Sequence, residues 1–199
     1  MSYPDFYNSV ESIKVKDPLS NVLGAFENGE YEVTYLEVVK SAGHSCPTVA
    51  GAYIIASEAL KALYPNERAM RGNIKVEFKD DLEEGVAGVI ANVISQITGA
   101  TDKSGFKGLN GKFARHSLMS FNANINASAK LTRVDNSQSV EVTYNPSSVM
   151  PNPDMKVLMQ KMMQGLATPD ELKEFGALWQ DRVKRIFENI SEVVRVEEV

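Results

Sequence analysis

Ala129-Lys130-Leu131-Thr132-Arg133-Val134, then Asp135-Asn136-Ser137-Gln138, then Ser139-Val140-Glu141-Val142-Thr143-Tyr144 is the stretch on which the fold turns. Two runs of strand-forming residues flank a four-residue polar break, and that pattern predicts a β-hairpin. So short a connection makes the two strands antiparallel, because a parallel pair needs a much longer crossover. Working back toward the N-terminus, residues 113–123 predict another strand in front of the hairpin, and residues 73–78 predict one before that. Between those two lie an acidic turn (Asp80, Asp81, Glu83, Glu84), a helix over about 86–97 stopped by Thr98-Gly99, and a loop over 100–112 bearing glycine and lysine.

On the other side of the hairpin the pattern becomes helical after Pro146. Residues 154–164 are Met-rich, and Thr168-Pro169-Asp170-Glu171 opens a long helix reaching about Asn189. Thr168 and Glu171 have capping-box spacing, with Pro169 at the first helical position. Near the N-terminus, residues 31–40 alternate as a strand with both faces partly covered, and this strand is expected to run into Gly43-His44-Ser45-Cys46-Pro47. Pro47 suits the first turn of the helix that follows, whose apolar face is Val49, Ala52, Ala56, Leu60 and Leu63, with a stop at Pro65-Asn66. The first thirty residues read as a helical lead-in with Val22, Leu23 and Phe26 as its stripe. Taken together the order predicts an α+β protein, a largely antiparallel sheet packed with helices plus C-terminal helices. A single domain over 1–199 is expected, divided into the lead-in 1–30, a core 31–145 and the C-terminal helices 150–190.

Composition excludes several classes of function. The chain has 43% hydrophobic and 24% charged residues and a net charge of -5, with no basic stripe, which speaks against nucleic acid. No stretch approaches the roughly 20 apolar residues of a membrane span, and the opening MSYPDFYNSVESIK has no signal-peptide core, so no membrane partner and a cytoplasmic location are expected. The single cysteine cannot form an internal disulfide.

That cysteine stands two positions from one of only two histidines. His44 and Cys46 can share a soft metal ion, or form a base and nucleophile if the turn folds back. Zinc takes four ligands from His, Cys and carboxylate, and three protein ligands leave a position open to water or a small ligand. His116 is the candidate third ligand; its other reading is a strand histidine satisfied by a backbone carbonyl. The four acidic residues after Lys79 offer oxygen donors or are simply solvated charge. Tyr53, about two turns into the helix after Cys46, faces a cofactor or is an ordinary packed aromatic. The loop 104–112 lacks a phosphate-loop pattern. Met150, Met155, Met159, Met162 and Met163 form either an adaptable binding surface or packing for the core or a dimer.

Gly43-His44-Ser45-Cys46-Pro47, the following helix with Ala52-Tyr53, and Ile97-Thr98-Gly99-Ala100-Thr101 after a second helix together resemble the FmdE family, which takes its name from a component of formylmethanofuran dehydrogenase. Leu166-Ala167-Thr168-Pro169-Asp170-Glu171 resembles that family's helical tail, so the likeness runs over roughly residues 36–190. It implies an α+β domain that binds a transition metal, often zinc, through the His and Cys of the first motif, and that commonly forms a homodimer. The chain departs from the family at Val89 and Ala100, where the resemblance leads one to expect further cysteines, and at Ala52 and Ile54, where it leads one to expect glycine and arginine. It also lacks the cysteine-rich zinc ribbon appended to some members. The expectation is therefore a metal-binding FmdE-like protein whose metal site is sulfur-poor (His44, Cys46, His116), with a pocket for a small ligand and no support for formylmethanofuran chemistry. The alternative is a non-catalytic dimeric binding protein with a degenerate site.

Overall fold

The structure is a computed structural model that describes residues 2–199. In chain order its elements are β1 (Ile13–Lys16), α1 (Pro18–Val22), β2 (Glu30–Val33), α2 (Tyr35–Ala42), α3 (Pro47–Leu63), β3 (Ala69–Met70), β4 (Ile74–Phe78) and α4 (Ala87–Thr98). They continue with β5 (Met119–Ser120), β6 (Ala129–Arg133), β7 (Ser139–Tyr144), α5 (Asp154–Met163), α6 (Pro169–Glu188), α7 (Ile190–Val193) and β8 (Val194–Glu198). The strands make two sheets, a small one in the order β2-β1-β3 and a larger one in the order β5-β4-β6-β7-β8. Pairing is antiparallel except for the two-residue matches β1 with β3 and β4 with β5. The fold is α+β.

The hairpin forms as its sequence predicts. Leu131 faces Val140 and Ala129 faces Val142 across the pair, and the turn closes with Arg133 N–H donating to Gln138 O at 2.8 Å. Ser137 takes the left-handed conformation there (φ 65°). Both capping features at 168–171 are present, and α6 starts at Pro169.

Helix α3 is the centre of the molecule. Twelve of its 17 residues are buried, because it is apolar nearly all round and is enclosed by α2, α4, α6 and β7. Ile54 and Ile55 are 1% and 0% exposed, and each contributes about 1.5–3 kcal/mol by leaving water. One cluster of buried side chains runs from Tyr7 to Val193.

Three predicted elements are corrected. Residues 31–40 are not one strand: β2 ends at Val33, and Thr34 caps α2 by accepting from Glu37 N–H while Glu37 accepts from Thr34 N–H. The Thr34-x-x-Glu37 spacing marks a helix start, and it overrides the alternation of Val and Tyr that suggested a strand. The corner at His44 therefore joins two helices, with Gly43 closing α2 in the left-handed region (φ 76°). The helical lead-in over 1–30 is mostly not helix. It contains β1, whose Ile13 and Val15 are buried, while Val22, Leu23 and Phe26 are exposed. Finally, 113–123 supplies only the two-residue β5, since Phe113, Ser117 and Asn122 all adopt positive φ.

A buried ionic tie crosses the molecule. The Asp17 carboxylate accepts from Arg115 Nη2 at 2.6 Å and from Arg71 Nη1 at 2.9 Å, and it caps α1 through Leu19 N–H at 2.9 Å. Arg71 Nη2 donates to Gln96 O at 3.2 Å, linking the tie to the end of α4. Gly72 (φ 83°) is required here, because a Cβ at that position would overlap the Arg115 guanidinium.

Candidate functional site

The Gly43–Pro47 corner is held from two sides. Ser45 is buried; its hydroxyl shares a 2.8 Å hydrogen bond with Tyr35 Oη, and its carbonyl accepts from Trp179 Nε1 at 3.0 Å and Gln180 Nε2 at 3.2 Å. Tyr144 Oη donates to Pro47 O at 2.8 Å from the opposite side, and its ring lies against Gly51, where a Cβ would collide with it. The mid-helix glycine thus admits the aromatic that fixes the corner to the large sheet. Burial pushes the hydroxyls of Tyr35, Tyr53 and Tyr144 well above the ordinary phenol range, so all three act as neutral hydrogen-bonding groups.

Within this frame the two motif residues differ. His44 is exposed, with Nδ1 3.0 Å from Ala42 O. A carbonyl on Nδ1 sets the ring so that Nε2 is the nitrogen left for a ligand, an arrangement common among metal-binding histidines. Cys46 is half-buried and caps α3, its Sγ accepting from Val49 N–H at 3.4 Å. His44 also lines a cleft of about 210 Å³ against α4, shared with Val89, Asn92 and Gln96.

The other predicted residues lie elsewhere. His116 sits in the loop leading to β5 rather than in a strand, with Nδ1 2.9 Å from Ser117 Oγ. Tyr53 is 1% exposed and turns toward β1 and β2, donating to Glu11 O and Val33 O at 2.8 and 2.9 Å. It lines a cavity of about 270 Å³ with Phe6, Ser57 and Phe187. Among the described residues no three His, Cys, Asp or Glu side chains form a group able to hold a metal ion, so His44, Cys46 and His116 are not gathered into one. The corner by itself offers two donors, one nitrogen and one sulfur, against the four that zinc takes. Ala100, at the other position where the resemblance calls for a cysteine, is completely buried.

Sequence reasoning missed Tyr35, Tyr144, Trp179 and Gln180, which position the corner. They are 10 to 135 residues from their partners in sequence, and no local pattern ties them to it. The larger cavity near the corner, about 440 Å³, lies between the start of α3, the end of β4 and the start of α4. No family model matches this chain, and no curated protein matches it.

Proposed function

We propose that this chain is an FmdE-like metal-binding protein in which His44 Nε2 and the Cys46 thiolate hold a transition metal, zinc first. The remaining coordination positions are filled from outside the chain, by water, a small ligand or a second copy. The observation that carries this reading is the corner itself: a histidine oriented through Nδ1 by Ala42 O and a part-exposed thiol two residues on, both on backbone pinned by Tyr144 and α6. The shared cleft of His44 and Val89 adds support, because it puts the position where the resemblance calls for a second cysteine beside the histidine. Metal analysis of protein purified without an affinity tag tests it. Zinc is expected to copurify, to fall to background in His44→Ala and in Cys46→Ser, and to bind more tightly in Val89→Cys. Occupancy unchanged in both single variants rejects the reading.

A second reading is favoured by the engagement of Cys46 as a helix cap: the site has lost its metal and the chain is a dimeric partner protein. Met163, the last residue of α5, and Leu166, in the loop before α6, are 79% and 69% exposed and would lie in its interface. Metal content and sedimentation together distinguish the two: a metal-free dimer favours this reading, whereas a strict monomer without a copurifying partner rules it out.

A further inference from the structure

We propose that the 270 Å³ cavity beside Tyr53 binds a small neutral phenol, a single substituted aromatic ring carrying one hydroxyl. The cavity lies between the N-terminal 3-10 turn Asp5–Ser9, the stretch of α3 from Tyr53 to Lys61 and the junction of α6 with α7. An apolar cavity of about 150 Å³ admits benzene, so this one has room for a ring with its substituents. Phe6, Val10, Phe187 and Ile190 all border it. All four are only partly buried against the core, so they keep apolar surface to offer a ligand. The Phe6 and Phe187 rings stand 6.4 Å apart at 46°, within the range in which aromatic rings attract, and a third ring can join them.

Three hydroxyls border the cavity, and two of them are engaged: Ser9 Oγ donates to Phe6 O at 2.8 Å, and Tyr53 Oη divides its proton between Glu11 O and Val33 O. Ser57 is the third. It is 8% exposed, yet its Oγ has no hydrogen-bond partner among the described residues and, unlike the sealed hydroxyls of Ser20 and Tyr64, stays reachable. A hydroxyl so enclosed is costly to leave unbonded, and a ligand hydroxyl that donates to it or accepts from it removes that cost. The charges bordering the cavity are already matched. Lys61 Nζ lies 2.8 Å from Glu11 and 2.9 Å from Glu58, and Lys184 Nζ lies 3.6 Å from Glu188. A charged ligand would have to break one of these pairs or go unmatched, which selects a neutral one. The apolar wall then contributes most of the affinity, and Ser57 the preference for a hydroxyl. The site is distinct from the His44–Cys46 corner and does not require metal there.

Calorimetric titration of the full chain, with and without chelator, tests this using p-cresol as the probe. Toluene, 4-methylcyclohexanol and p-toluate are its analogues without the hydroxyl, without the aromatic ring and with a charge. The expected result is that p-cresol binds, several-fold tighter than each analogue. Ser57→Ala is expected to weaken p-cresol to the level of toluene while leaving toluene unchanged, a pattern that a general loosening of the fold would not give. Val10→Trp and Ile190→Trp, at two partly exposed positions bordering the cavity, are each expected to weaken binding tenfold or more with an unchanged circular dichroism spectrum. Ser57→Ala decides the matter should a tryptophan variant fail to fold. The His44→Ala, Cys46→Ser double variant binds as wild type. No binding of p-cresol, an analogue that binds as tightly, indifference to Ser57→Ala or to both folded tryptophan variants, or loss of binding in the double variant overturns the proposal.

Discussion

The Asp17–Arg71–Arg115 tie and the His44–Cys46 corner are two polar centres of this molecule, and they are opposites. The tie is assembled from residues far apart in sequence, with Asp17 and Arg115 at 4% and 7% exposure, and its charges are spent on one another. The corner is assembled from adjacent residues, has an exposed histidine and a half-buried thiol, and borders a cleft. Burial is what separates polar residues that hold the fold from those free to do chemistry. A buried charge must be satisfied inside the protein, whereas an exposed imidazole costs little to keep unoccupied.

Asp17 should be the most sensitive position. Asp17→Asn leaves two guanidiniums facing each other in a buried setting and weakens the α1 cap, so a loss of about 3–5 kcal/mol is expected in urea unfolding. Arg115→Met keeps Asp17 paired with Arg71 and should cost less, about 1.5–3 kcal/mol, the worth of one charge-assisted hydrogen bond. If the two variants are equally destabilised, the tie does not act as one shared acceptor and the contrast with the corner weakens.

The tie should also give the protein its acid limit. Burial alone would raise the Asp17 carboxyl, but the Arg71 hydrogen bond, the Arg115 charge and the Ser20 N–H hold it below its ordinary value. Its folded pKa thus lies below that of the unfolded chain. The stabilisation is fully present above about pH 4 and is lost as pH falls through the folded value. Asp17→Asn should flatten that limb of the stability curve, and an unchanged limb would assign acid unfolding to other carboxylates.

The corner should respond far less in stability. Cys46→Ala removes the α3 cap and is expected to cost about 0.5–1 kcal/mol, while Cys46→Ser keeps a capping oxygen and should stay within about 0.5 kcal/mol of wild type. His44→Ala should be the smallest, also within about 0.5 kcal/mol, because the ring is exposed. The same substitutions are those expected to remove zinc, so a large stability loss without metal loss would make the corner a second structural tie.

Much of the architecture is legible in the sequence. The hairpin 129–144, the helix after Pro47, the helix before Gly99 and the capping box at Thr168 all carry local signals, and each element lies where those signals point. The failures have local causes too. Val and Tyr before Ser41 mimic a strand, although Thr34 and Glu37 spell a helix start, and the left-handed residues around 113–122 break a run that reads as extended. The His44–Cys46 pair is legible because its residues adjoin in sequence, whereas spacing alone says nothing of whether His116 joins them.

Short-range physics accounts for the legible part: periodicity, caps, turns, and the placing of a histidine and a thiol at a helix start all act within a few residues. The folded chain alone brings Tyr144 and α6 onto that corner and turns Tyr53 to a different cavity. Those outcomes depend on side chains from distant segments filling one another's space. Close packing and the pairing of buried charge are satisfied by the whole chain at once, not by any window of it.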